Sequence, residues 1–141
     1  MEVSLVISSY FIVSYFSVSM GSRSEGAGEL YTYLPLTSAN AAAAKAVTTG
    51  KTIENSDYGF SVGRGAFTFP TGEWVTVTER IKLNDVGKKN GQVRLWVNGA
   101  SAIELYNVSL RESEDSIIQG MEFQTFFGGK SMFQKCRTIT L

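Results

Sequence analysis

The chain contains no histidine and a single cysteine, Cys136. Without histidine there can be no Ser-His-Asp triad, no Cys-His pair and no histidine-based acid–base group or metal site. One cysteine cannot form an internal disulfide, and no cysteine cluster is available to hold zinc. Proton transfer would therefore have to use tyrosine, lysine or a carboxylate, and we expect neither a metal nor a cofactor.

An excess of charge of one sign is also lacking, because Lys+Arg and Asp+Glu both number 13 in 141 residues. No basic surplus points to nucleic acid, so we expect no nucleic-acid partner. The length fits one domain with a core of its own. Only 2 prolines, against 14 glycines and 12% aromatic residues, are more typical of a turn-rich β fold than of a helical bundle.

The clearest pattern lies within residues 72–105, where apolar residues fall mainly on every second position. A period of two places them on one face of a strand and leaves the other face polar. Asn90-Gly91 and Asn98-Gly99 are dipeptides that favour tight chain reversals. The segment therefore predicts three consecutive antiparallel strands, at about 74–84, 92–98 and 101–106. The resulting sheet has one buried face and one polar face.

Residues 3–20 carry no charge and allow three interpretations. Six serines in a stretch barely long enough to span a bilayer argue against a membrane helix, so we expect no membrane partner. A signal peptide fits the apolar residues 5–13, but the start carries Glu2 and neither lysine nor arginine. The many β-branched and aromatic residues favour strand, which is our prediction.

Shorter patterns predict the remaining elements. Strands are expected at 29–34, 58–69 and 117–127, a helix or an ordered loop at 39–47, and a polar connection at 48–57. Gly63 and Gly65 flank Arg64 within the second of these strands, which suggests a bulge or a close approach of another segment or ligand.

Tyr31 and Tyr33 are the residues best suited to chemistry. They lie two positions apart on a predicted strand, so their side chains should leave the same face roughly 6.6–7 Å apart. Two phenols at that spacing can flank one sugar unit. A free phenol has a pKa of about 10, and a nearby cation lowers the pKa of a phenol enough to make it a usable base. The same spacing also fits a half-buried aromatic pair with no catalytic role.

Other candidates have two interpretations each. Arg64 offers a planar set of donors for a carboxylate, or it forms a structural ion pair. Glu79 is predicted on the apolar face of its strand, where Arg64 is one candidate partner. Trp74 and Trp96 are predicted on the polar face, where they could stack on sugars or cover another layer of the fold.

Four segments together resemble polysaccharide lyase family 14, in particular the fungal domains similar to alginate and glucuronan lyases. They are GAGELYTYLP at 26–35, YGFSVGRG at 58–65, ERIKLN at 79–84 and QTFFGG at 124–129. The resemblance is strongest over residues 16–130. It implies an all-β, antiparallel sandwich of the jelly-roll type with at most one short helix. We interpret residues 1–141 as a single, partial domain of this type, whose sandwich is incomplete.

The resemblance also implies a function, the β-elimination of uronic-acid polysaccharides without metal or cofactor. It assigns catalysis to Tyr31, Tyr33 and Ser17, with an acidic polysaccharide as the partner. Arg64 and Arg23 are the candidate substrate-binding residues. The family pattern has an arginine where this chain has Ser19, and an active-site lysine in an upstream region.

These differences leave three hypotheses open. The first is a uronate lyase, whose activity could be lost through truncation. The second is a non-catalytic, carbohydrate-binding β-sandwich, and the third is an aggregation-prone fragment without function. An extracellular location would suit the family and the Asn107-Val108-Ser109 glycosylation sequon. The oligomeric state, the exact polymer and the mode of cleavage are left open.

Overall fold

The structure, a computed structural model, describes residues 17–22, 24–57 and 59–118. Within these ranges the chain forms seven strands, one α-helix and a single 3₁₀ turn at Ser24–Gly26. The elements are β1 Ser17–Ser22, β2 Ala27–Tyr33, α1 Ser38–Lys45, β3 Lys51–Asn55, β4 Gly59–Thr68, β5 Val77–Lys82, β6 Gly91–Val97 and β7 Ala100–Val108.

The strands form two antiparallel sheets that share one core. The first sheet has the order β1-β2-β4-β3, and the second has the order β5-β6-β7. The core joins Leu30, Phe60 and Val62 of the first sheet to Leu95 and Ile103 of the second. The predicted antiparallel β-sandwich with one short helix is therefore confirmed. Each sheet turns one face to this core and the other away from it.

The second sheet follows the alternation in the sequence, and its three predicted strands are confirmed. Asn98 and Gly99 both have positive φ, 49° and 78°, as a two-residue hairpin turn requires. The turn predicted at Asn90-Gly91 is wrong. The chain reverses before it, and the Asn90 amide closes that loop through two hydrogen bonds to Asp85, so that Gly91 already begins β6.

Two further details differ from the sequence-based expectation. Trp74 is not on the polar face of a strand, because β5 begins only at Val77 and the Trp74 side chain is fully exposed. The polar connection at 48–57 contains a strand, β3. This strand is an edge strand of the first sheet. Only Thr52 and Ile53 in it are partly buried, so its sequence shows little apolar alternation.

The sequence allowed either a helix or an ordered loop at 39–47, and the structure forms the helix α1 there. The hydroxyl of Thr37 caps it by accepting a hydrogen bond from the backbone N–H of Asn40 (3.2 Å). The Asn40 side chain then ties the helix to the end of β7. Its amide donates to the carbonyl of Ser109 and accepts from the N–H of Ser109.

The bulge predicted around Arg64 is confirmed in β4, where the register against β2 and β3 shifts. Gly63 has a φ of 65°, and a Cβ at this position would lie 2.6 Å from Cδ1 of Ile103 on the second sheet. Glycine is thus required both by the backbone conformation and by the close approach of the two sheets.

The uncharged stretch at 3–20 is described only from Ser17 onwards, where β1 agrees with the strand interpretation. The earlier part, and with it the signal-peptide interpretation, lies outside the described residues. Most of the strand predicted at 117–127 also lies outside them, while Ile117 and Ile118 are exposed and form no regular structure. No helix among the described residues is long and apolar enough to cross a membrane.

Candidate active site

Tyr31 and Tyr33 share the outer face of the first sheet. Leu30 and Thr32, their neighbours on β2, are fully buried towards the core, so the pleat turns both tyrosines away from it. Tyr33 is 42% exposed and Tyr31 is half-buried. Their rings meet edge to face, with centroids 5.1 Å apart and planes inclined at 71°. The structure thus places both phenols side by side on this face, where Tyr33 is the more exposed of the two.

The backbone register brings further candidates to these two residues. On β1, Ser17 lies directly opposite Tyr33, and Ser19 lies directly opposite Tyr31. On β4, Ser61 lies opposite Tyr31. Residues paired in this way across antiparallel strands have Cβ atoms about 4.5–5.5 Å apart. Ser17, the third predicted catalytic residue, therefore lies beside the tyrosine pair in the sheet.

A buried ion pair lies on the same side of β2. Glu29 is only 2% exposed, and its Oε2 accepts a hydrogen bond from Arg64 Nε at 2.7 Å. The hydroxyl of Ser61 donates to the same oxygen. Two donors and a positive charge compensate the cost of burying this carboxylate. Glu29 was not among the residues that the sequence singled out, although the pattern Glu-x-Tyr-x-Tyr already places it on the tyrosine face.

Arg64 therefore has a structural partner, as one of its two interpretations required. That partner is Glu29, whereas Glu79, the candidate considered from the sequence, lies on β5 of the second sheet. The Arg64 side chain remains 33% exposed. Glu29 and Tyr31 are successive outward positions of one strand, roughly 6.6–7 Å apart. The Glu29–Arg64 pair thus lies one outward position along β2 from Tyr31, on the face that carries the two phenols.

The remaining sequence candidates are not part of this cluster. Arg23 lies outside the described residues. Trp96 is on the polar face of the second sheet, as predicted, and therefore across the core from Tyr31 and Tyr33. Within the described ranges, no group of three or more cysteine, aspartate or glutamate residues is arranged to hold a metal ion.

Comparison with known proteins adds two findings. The family model for Polysaccharide lyase 14 matches residues 13–137. The crystal structure of the marine PL-14 alginate lyase from Aplysia kurodai is similar, with a TM-score of 0.69 and 30% sequence identity. The similar region covers 89% of this chain and 49% of that structure, so this chain spans about half its length. Among curated proteins, none matches this chain. The similarity confirms the jelly-roll type of sandwich.

Proposed function

This chain belongs to polysaccharide lyase family 14, and on that premise we propose that it cleaves uronic-acid polysaccharides by β-elimination. The observation that carries the proposal is the placement of Tyr31 and Tyr33 side by side on the outer face of the first sheet, with Tyr33 exposed. Phenols can accept and donate protons, and such a face leaves room for a polymer to lie across it. The alginate lyase with a similar fold supports an acidic polysaccharide as the substrate class.

The proposed reaction needs a base, an acid and a cation. One tyrosine oxygen, as phenolate, takes the proton from C5 of a uronate unit. The electrons of the C5–H bond form a C4–C5 double bond while the bond from C4 to the glycosidic oxygen breaks. A phenol proton is transferred to that leaving oxygen. Tyr31 and Tyr33 share the two roles, and Ser17, opposite Tyr33 in the register, is assigned to contact the same sugar unit.

Arg64 is the residue that we assign to the uronate carboxylate. Neutralising that carboxylate makes the C5 proton more acidic, and a guanidinium provides paired donors for it. Glu29 already accepts a hydrogen bond from Nε of Arg64, and its carboxylate offsets part of the positive charge of the guanidinium. Position 19, opposite Tyr31, holds serine where the family pattern has arginine. We therefore expect slow turnover by this chain.

Ser19 is also the observation that favours the second hypothesis, a domain that binds acidic polysaccharide without cleaving it. Ser19→Arg separates the two. If the chain is a lyase that lacks one cation, the substitution should raise turnover by roughly tenfold or more, because a charged donor aimed at a developing negative charge contributes about that much or more. A binding domain would gain affinity and would still release no product.

The reaction type can be tested through the products. Polymannuronate, polyguluronate and polyglucuronate would be incubated with the protein, and neutral dextran would serve as the control polymer. Elimination leaves a new end that is lighter by one water than the end left by hydrolysis, which mass spectrometry distinguishes. Unsaturated oligosaccharides from a uronate polymer alone are the expected result. Hydrolysis products, or cleavage of dextran, would contradict the proposal. No product together with retention on polyuronate gels would favour the binding domain.

A further inference from the structure

The outer face of the second sheet, which is across the core from the tyrosines, has an unusual arrangement of charge. We call it the Arg80 face and define it by Thr78, Arg80, Lys82, Gln92, Arg94, Trp96, Ser101, Glu104 and Tyr106. Arg80, Arg94 and Glu104 lie in one row across β5, β6 and β7, because Arg80 is opposite Arg94 and Arg94 is opposite Glu104.

Two arginines directly opposite each other destabilise a sheet unless negative charge lies nearby. The face supplies only one carboxylate for its three cations. Glu104 Oε1 bonds to an Nη of Arg94 at 2.5 Å, and the hydroxyl of Ser101 donates to the same carboxylate. Arg94 and Ser101 hold the pKa of the Glu104 carboxyl below its ordinary value, so the carboxylate is charged and committed to Arg94.

Arg80 and Lys82 form no direct ion pair among the described residues, although the charge of Lys82 helps to lower the pKa of the Asp85 carboxyl in the following loop. Both side chains are exposed. They are successive outward positions of β5, so the two charges point the same way roughly 6.6–7 Å apart along the strand. A single small anion would not span them, whereas an extended polymer with repeated carboxylates could contact both.

An aromatic ring completes the face. Trp96 lies opposite Thr78, one row from Arg80, and the guanidinium carbon of Arg94 lies 4.5 Å from its ring centroid. This contact fixes the indole against the sheet, and the ring remains partly exposed. A flat indole beside two exposed cations suits a chain of sugar rings that carry carboxylates.

We propose that the Arg80 face is a second binding surface for acidic polysaccharide, separate from the tyrosine pair. It would hold the polymer on the other side of the sandwich without taking part in its cleavage. The proposal relies on the proposed function only for the choice of polymer. Its test does not depend on turnover, so the two can fail independently.

The experiment is affinity electrophoresis in native gels that contain sodium alginate, with each mobility normalised to a gel without polymer. Measurements use the Tyr31→Phe/Tyr33→Phe background, so that the polymer remains intact. Adding Arg80→Gln and Lys82→Gln should raise the apparent dissociation constant about five- to twentyfold, since each exposed charge pair contributes up to about fivefold. Arg80→Lys, which keeps the positive charge, should retain most of the binding that Arg80→Gln loses. Thermal melts would verify that each variant is folded.

The matched control is Lys45→Gln/Lys89→Gln, which removes the same net charge from two exposed lysines outside this face. It should leave retention nearly unchanged. The proposal is overturned if the two double variants weaken retention equally, or if Arg80→Gln/Lys82→Gln has no effect. Equal weakening on gels that contain double-stranded DNA would also overturn it, because the face would then bind any polyanion.

Discussion

Buried amide side chains join loops to strands in this protein, and Asn84 is the clearest case. Asn84 is fully buried after β5, where its Oδ1 accepts from the N–H groups of Leu110 and Arg111 at 2.7 and 2.9 Å. Its Nδ2 donates to the carbonyls of Arg111 and Asp85. One side chain therefore pairs one backbone group of its neighbour Asp85 and three of residues 110–111, which are 26 and 27 positions away.

Replacing Asn84 by alanine should lower the free energy of unfolding by roughly 2–4 kcal/mol, because each buried polar group left unpaired costs about 1–3 kcal/mol. Chemical denaturation would measure the change. Asn55→Ala is the matched control, since Asn55 is exposed and should cost under about 1 kcal/mol. An equal loss in both variants would show that Asn84 does not have this role.

The contribution of the ion pair between Glu29 and Arg64 to stability can also be measured. Arg64→Met leaves a carboxylate that is 2% exposed without its cation, and should destabilise the fold by about 2–4 kcal/mol, since breaking a fully buried pair costs about 3–5 kcal/mol and Arg64 is partly exposed. Adding Glu29→Gln should recover part of the loss, because the neutral amide still accepts from Ser61. Additive losses in denaturation experiments would mean that the two residues are not coupled.

Among the elements, those with strict alternation could be predicted from sequence. The strands β5, β6 and β7 follow one another with apolar residues on one face, and no distant segment is needed to recognise them. The helix was left open because Asn40 and Ala44 are its only buried residues, so it has no apolar stripe. The pairing of Glu29 with Arg64 could not be foreseen, because it depends on the bulged register between β2 and β4.

The loop between β5 and β6 is an element whose pH response can be predicted. Hydrogen bonds from Asn90 and Lys88 hold the pKa of the Asp85 carboxyl below its model-peptide value of 3.8. A carboxyl whose pKa is lower in the folded state stabilises the fold above its unfolded pKa. That contribution is lost as the pH falls through the folded pKa. We therefore expect the Asp85 carboxylate to stabilise the loop fully above pH 3.8, and to lose this contribution progressively as the pH falls below 3.8 through the lower folded pKa.

Carbon-detected NMR titration of the Asp85 carboxyl would measure this. Asn90→Ala should raise the pKa towards 3.8, because the largest stabilising hydrogen bond is removed. Lys89→Ala is the control, since no hydrogen bond joins Lys89 to this carboxylate. A wild-type carboxyl that titrates at 3.8 or above would show that the loop contacts do not persist in solution.

For the molecule as a whole, the shared core implies that the two sheets unfold together. Phe60 and Val62 from one sheet pack in the same cluster as Leu95 and Ile103 from the other. Ile103→Ala should lower the stability of both sheets equally, by about 2–5 kcal/mol, because it opens a cavity where they meet. Amide hydrogen exchange on β4 and β6 would compare the two sheets. Unequal losses, or an aggregated wild type, would favour the fragment hypothesis instead.

For the molecule as a whole, elimination should depend on the two phenols on the outer face of the first sheet. The most direct test is the initial rate at which the ultraviolet absorbance of the C4–C5 double bond appears in a uronate polymer. Tyr31→Phe and Tyr33→Phe each keep the ring and remove only the hydroxyl. Tyr106→Phe, on β7 of the second sheet, is the matched control. Because Tyr106 lies on the Arg80 face, rates are compared at saturating polymer, where weaker binding to that face does not lower them.

Absorbance should rise with the wild type and with Tyr106→Phe. Tyr31→Phe and Tyr33→Phe should each lower the rate by about a hundredfold or more, since a positioned acid or base contributes about 10²–10⁴-fold. A rate that survives in Tyr31→Phe/Tyr33→Phe would contradict this prediction.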